Sequence, residues 1–178
     1  MALLNYRKIL ECLVDHGVEF IVVGGISGAL NGAPLDTLDV DVVHSREADN
    51  VQRLVAALRE LDAYYRIQPE RRFRPDESHL SSAGHQLLAT KFGNIDFLDS
   101  VTRQRTYADL LPHSKDLAIS LETTINVLNL EMLIVLKEET GRPKDLAMLP
   151  TLRGTLEEIR RREQEQSPRV RNTTPECG

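Results

Sequence analysis

The stretch from Phe20 to Val43, FIVVGGISGALNGAPLDTLDVDVV, constrains this chain more than any other part of it. Phe20-Ile21-Val22-Val23 is short, apolar and β-branched, which reads as a buried strand, and it stops at Gly24-Gly25. Ser27 and a short apolar stretch follow. Gly32 and Pro34 then break the pattern, and a second β-rich run from Leu38 to Val43 carries Asp39 and Asp41. The expected order is strand, glycine turn, short helix, loop, strand. Glycine at a strand-to-helix turn lets backbone N–H groups come close to a ligand, and the positive end of the helix favours an anion such as phosphate. Residues two apart on a strand share a face, so Asp39 and Asp41 project together while Val40 and Val42 point into the core. Neighbouring carboxylates repel unless a cation lies between them. Hard oxygen donors suit Mg²⁺, which takes one or two carboxylates plus substrate phosphates.

The surrounding apolar spacing predicts helices that cover this sheet. Leu4, Ile9, Leu10, Leu13 and Val14 mark a helix over Leu3 to His16, with Gly17 as its stop and His16 as a helix-end residue complementing the dipole. Val51, Leu54, Val55, Leu58 and Leu61 mark a second over Glu47 to Leu61, with Ser45 as its cap. From Asp62 to Ser82, Arg66, Arg71, Arg72 and Arg74 are interspersed with Tyr64, Tyr65 and Phe73. That pattern suits a solvated loop with its tyrosines tucked inward, or a grip on nucleic acid. From Gly84 to Leu98 two apolar runs flank a Gly93-Asn94 turn, a strand pair that sets Asp96 between Ile95 and Phe97. A carboxylate there needs a partner, either the Asp39/Asp41 site or an arginine such as Arg103.

These residues resemble the signature of the nucleotidyltransferase superfamily, the fold of DNA polymerase beta, in the Gly24-Gly25-x-Ser27 turn, the Asp39-x-Asp41 pair and the later Asp96. Leu130 to Leu149, LEMLIVLKEETGRPKDLAML, is similar to the corresponding segment of AbiEii-like toxins and related small bacterial nucleotidyltransferases. The resemblance implies an α+β fold, a mixed sheet covered by helices with a helical C-terminal part. It further implies that Gly24, Gly25 and Ser27 hold the triphosphate of an NTP, and that Asp39 and Asp41 ligate catalytic Mg²⁺. Asp96 would complete the metal site and help deprotonate an acceptor hydroxyl. Lys137, Arg142 and Lys144 would neutralise phosphate charge, with Asp145 holding one of them. Read on their own, Gly141 to Asp145 also fit a C-cap followed by a helix start. Departures from the pattern fall at Leu35 and Leu38, where the group often has arginines, and at Met148, where a further aspartate often stands.

A length of 178 residues with 41% hydrophobic composition suits one domain, expected over 1–165, with its catalytic sheet at about 18–100 and its helical part at about 129–165. Thr155-x-x-Glu158 reads as a capping box opening a polar helix in which Glu157 and Arg161 pair; 166–178 is expected to be disordered. The net charge of −5 argues against general nucleic-acid coating. Cys12 and Cys177 lack ligand spacing, and no run reaches the ~18 apolar residues of a membrane span, so a cytoplasmic chain without zinc site or membrane partner is expected. Three functions fit. The first is Mg²⁺-dependent transfer of NMP from an NTP, ATP among the candidates, to a hydroxyl of an RNA end, a protein or a small molecule, with a toxin–antitoxin or defence setting and a cognate antitoxin or toxin as partner. The second is a binding module without turnover. The third is an interaction protein.

Overall fold

The computed structural model describes residues 2–37 and 39–166, with side chains from Tyr6 onward. Seven strands form one mixed sheet: β1 (Phe20–Val23), β2 (Val40–His44), β3 (Tyr64–Tyr65), β4 (Gln86–Thr90), β5 (Gly93–Leu98), β6 (Ser114–Ala118) and β7 (Thr124–Leu128), in the order β3-β4-β5-β2-β1-β7-β6. β1 lies antiparallel to β2 and parallel to β7, while β2 and β5 are parallel. The helices are α1 (Ala2–Asp15), α2 (Gly24–Leu30), α3 (Ala48–Glu60), α4 (Glu77–Ser81), α5 (Tyr107–Leu110), α6 (Leu130–Thr140) and α7 (Pro143–Gln166).

β1 is apolar at every position because both of its faces are covered. Phe20 and Val22 join Ile9, Leu13, Leu54 and Phe97 in the core beneath α1 and α3. Ile21 and Val23 join Leu133, Leu149 and Leu152 in a second core beneath α6 and α7. β2 obeys the same alternation, with Val40 and Val42 in the first core. Its odd positions, Asp41 and Val43, therefore face α6 and α7. Both edges of the sheet are guarded, β3 by being two residues long and β6 by its polar, largely exposed sequence.

Several sequence expectations need correcting. Asp39 precedes β2, which begins at Val40, and Leu38 lies outside the described residues. The N-cap of α3 is Glu47; Ser45 only accepts a long 3.4 Å bond from its N–H. The β4–β5 turn is Lys91-Phe92, because Thr90 pairs with Gly93 and the glycine opens β5. α7 runs unbroken through Pro150, so Thr155 starts nothing and returns its hydroxyl to the Thr151 carbonyl. Glu158, rather than Glu157, pairs with Arg161 and Arg162. Of the tail expected at 166–178, Gln166 ends α7 and the rest lies outside the described residues. Among the described residues no helix is long and apolar enough to cross a membrane.

Candidate active site

Strand register builds the site. Val23 stands opposite Asp41, Asp41 opposite Asp96, and Asp96 opposite Leu87. Arg66 follows β3, and its N–H donates to the Leu87 carbonyl, which places it at the end of the same row. Its guanidinium reaches past β4 to Asp96, with Nη2 donating to Oδ2 at 2.8 Å and Nη1 2.7 Å from Oδ1. Only the first of these contacts has hydrogen-bond geometry, so buried Oδ1 of Asp96 stays without a hydrogen-bond donor. The arginine that partners Asp96 is Arg66, not Arg103, which pairs with Glu139.

Gly24 sits at the near end of that row with φ +66°, and a Cβ there would lie 2.1 Å from Asp41 Oδ2. The turn thus requires glycine for its backbone and for the room the carboxylate occupies. Gly24→Ala is expected to destabilise the fold by at least ~2 kcal/mol and to displace Asp41; urea unfolding measures the first effect. Ser27 is fully buried, and its hydroxyl donates to the Gly24 carbonyl at 2.8 Å. It braces the turn from behind, whereas Gly24 and Gly25 line the cavity.

That cavity has a volume of about 1040 Å³ and lies between the sheet and the α6–α7 hairpin. Asp39, Asp41 and Asp96 line its sheet side; Lys137, Arg142 and Lys144 line its helical side. Burial, aided by the charges of Asp96 and Asp39, pushes the Asp41 carboxyl up to about 6, against the weaker pull of Lys137 and Lys144. Burial also raises Asp96, although Arg66 works in the opposite direction. Asp39 is exposed and accepts a long hydrogen bond of 3.4 Å from Asn94. The three carboxylates share the chamber without closing up. Among the described residues, the group of three ligating side chains whose donor atoms all fall within 4.8 Å of one another lies elsewhere. Asp39 and Asp41, which make no ion pair among the described residues, have the oxygen chemistry that suits Mg²⁺.

The helical wall is fixed by one carboxylate. Gly141 (φ +64°) ends α6, Pro143 opens α7, and Asp145 in its first turn is almost fully buried. Asp145 receives Lys137 at 2.5 Å on one oxygen and Arg142 at 2.7 Å on the other. Burial raises its carboxyl, but hydrogen bonds from Lys137 and Arg142 together outweigh that and leave it below the ordinary range. The segment is a C-cap followed by a helix start, and Asp145 holds two cations rather than one. Lys144 is exposed and makes no ion pair among the described residues. Leu35 packs in the apolar cluster beside Gly28, where an added Cβ would meet its Cδ1 at 2.7 Å, and Met148 lines the cavity.

Arg66 is the site residue that sequence reasoning missed as such. The signal was the spacing of Tyr64 and Arg66, two apart and so on one face, but a two-residue strand is too short to show alternation.

No curated protein matches the chain. The crystal structure of a proposed nucleotidyltransferase, TM1012 from Thermotoga maritima, is similar to it with a TM-score of 0.52 and 18% sequence identity, over 90% of this chain and 91% of that one. At that identity the likeness speaks for the fold. The model of a family described as nucleotidyl transferase of unknown function matches residues 2–173. With nearly its whole length covered, the chain belongs to that nucleotidyl transferase family, DUF2204.

Proposed function

We propose that the chain transfers an NMP from an NTP to a hydroxyl acceptor in a Mg²⁺-dependent reaction. The observation that carries this reading is the single row Gly24–Asp41–Asp96 on one wall of a nucleotide-sized cavity whose other wall is cationic. Asp39 and Asp41 would hold Mg²⁺, with Asp96 as a third ligand once it turns from Arg66. When bound, the ion supplies charge neutralisation at the phosphates and lowers the pKa of the attacking hydroxyl. Gly24 and Gly25 present backbone to the triphosphate, and Lys137, Arg142 and Lys144 balance its negative charge. Asp96, with its carboxyl raised by burial, is suited to take the acceptor's proton. The acceptor oxygen forms its bond to the α-phosphorus as the bond to pyrophosphate breaks. The acceptor is an RNA end, a protein or a small molecule, and a toxin–antitoxin or defence pair is the biological setting that fits such a chain. The test is incubation of the chain with each α-phosphate-labelled NTP, Mg²⁺ and a cell extract. Label appearing in RNA, protein or small products, and absent with Asp39→Ala/Asp41→Ala, supports transfer; no label in any fraction argues against it.

A second reading, nucleotide binding without turnover, draws on Arg66, whose guanidinium already neutralises Asp96. Arg66→Met tests whether Asp96 can turn to the ion, as the transfer reading requires. With the competing cation gone, metal-free protein is expected to lose about 2 kcal/mol of stability. Its Mn²⁺ affinity, measured by electron paramagnetic resonance, is expected to rise roughly tenfold, the equivalent of ~1.4 kcal/mol. Unchanged Mn²⁺ affinity would mean that Asp96 is not available to the ion.

A further inference from the structure

A second ligand cluster lies well away from this chamber. Tyr6, near the start of α1, donates its hydroxyl to the carbonyl of Thr37 at the cavity. His16, one residue past the end of α1, lies ten residues beyond Tyr6, roughly 15 Å along the helix axis at 1.5 Å per residue, and does not line the cavity. His16 N–H still donates to the Cys12 carbonyl at 3.2 Å, so the two side chains stand one helical turn apart on one face. Glu60, the last residue of α3, meets them there. The Cys12 sulfur, a His16 ring nitrogen and a Glu60 carboxylate oxygen all lie within 4.8 Å of one another. Among the described residues, no other such group of three is present.

We propose that Cys12, His16 and Glu60 form a binding site for a borderline-soft divalent metal of the zinc type, with a fourth position open to water. The donor set argues for this class of ion. A thiolate and an imidazole suit zinc and its neighbours, whereas Mg²⁺ and Ca²⁺ take oxygen. Metal–ligand lengths of about 2.0–2.3 Å require tetrahedral ligand separations of about 3.3–3.8 Å. The existing contact of 2.8 Å between His16 Nε2 and Glu60 Oε2 would open slightly, and the sulfur would close in. Access is graded in the needed sense: Cys12 is buried in the α1–α3 seam, while the side chains of His16 and Glu60 are 27% and 62% exposed. The sulfur otherwise has only a long contact of 3.8 Å to the Ala57 carbonyl. Glu60 is 44 residues from His16 in sequence, so spacing gives no hint of the cluster.

Burial, with the nearby charges of Glu60 and Asp15, pushes the Cys12 thiol up to about 11, and Lys91 works against them. The thiol is therefore protonated at neutral pH. Metal binding breaks its S–H bond, forms the metal–sulfur bond and releases one proton to solvent, so affinity rises with pH. The ion would clamp the end of α1 to the end of α3, a role independent of nucleotide transfer.

Cobalt titration of the full chain, after removal of metals by a chelator, tests the site. The expected result is one equivalent of Co²⁺ giving a near-ultraviolet thiolate-to-cobalt band. Cys12→Ser should abolish that band, and His16→Gln and Glu60→Gln should each weaken binding at least tenfold. Cys177→Ser and Asp39→Ala/Asp41→Ala should leave the band intact. Because Cys12 is buried, the two variants at the more exposed positions keep the test decisive even if Cys12→Ser fails to fold. Absence of a thiolate band, its survival in Cys12→Ser, its loss in Cys177→Ser, or unchanged affinity in both His16→Gln and Glu60→Gln would overturn the assignment.

Discussion

At pH 7, Asp41→Asn is expected to melt higher than the unmodified chain in metal-free buffer and, with Mg²⁺ present, to lack the proposed nucleotide transfer. Asp41 is held in a half-buried position beside Asp96 and Asp39, and its carboxyl is pushed up to about 6 from an ordinary 3.8. A group whose folded pKa lies above its unfolded one binds more protons in the native state, so stability falls as pH rises between those values. The penalty is absent below about pH 4 and complete above about pH 6, where it reaches up to ~3 kcal/mol. Asparagine removes the charge and keeps the shape. Thermal unfolding of both proteins from pH 4 to pH 7 is the check: their melting temperatures should diverge with rising pH, and Mg²⁺ should narrow the gap by stabilising only the unmodified chain. Parallel curves would mean that Asp41 bears no electrostatic penalty.

Asp145→Ala acts in the opposite direction. The side chain of Lys137 is only 14% exposed, and its partner Asp145 is 1% exposed. Removing the carboxylate leaves a largely buried ammonium unpaired, which typically costs about 3–5 kcal/mol. For a chain of this size that is a fall of about 10 °C in melting temperature. Replacing both partners, Lys137→Met with Asp145→Leu, should recover most of the loss, because a well-packed apolar pair needs no desolvation of charge. The Asp145 carboxyl lies below the ordinary range, so its contribution is present above the unfolded carboxylate pKa and fades as pH falls through the folded one. The unmodified chain should therefore lose stability in acid more steeply than the double variant.

The central hairpin was legible because its signals are local. An apolar tetrapeptide closed by two glycines can scarcely be anything but a covered strand ending at a turn, and β1 and α2 follow it. The alternation in Val40-Asp41-Val42 likewise fixed which side chains enter the core. Asp96 was readable for the same reason, lying between Ile95 and Phe97. What sequence could not supply was register between distant strands. Arg66 reaches Asp96 only because β3 joins the far edge of the sheet, and Glu60 meets Cys12 only because α1 and α3 pack side by side. The unbroken α7 is a different case. Thr155-x-x-Glu158 argued locally for a helix start, but burial of Leu149 and Leu152 against the sheet carries one helix through Pro150 and past Thr155.

Calorimetric titration with ATP, GTP, CTP and UTP, each with and without Mg²⁺, addresses the nucleotide site without requiring a known acceptor. Binding of at least one nucleotide that requires Mg²⁺ and disappears in Asp39→Ala/Asp41→Ala is the predicted result. If none of the four binds to a folded chain, or if binding persists undiminished in the double variant, the triphosphate does not lie against the Gly24–Asp41 row and the proposed transfer reaction is wrong.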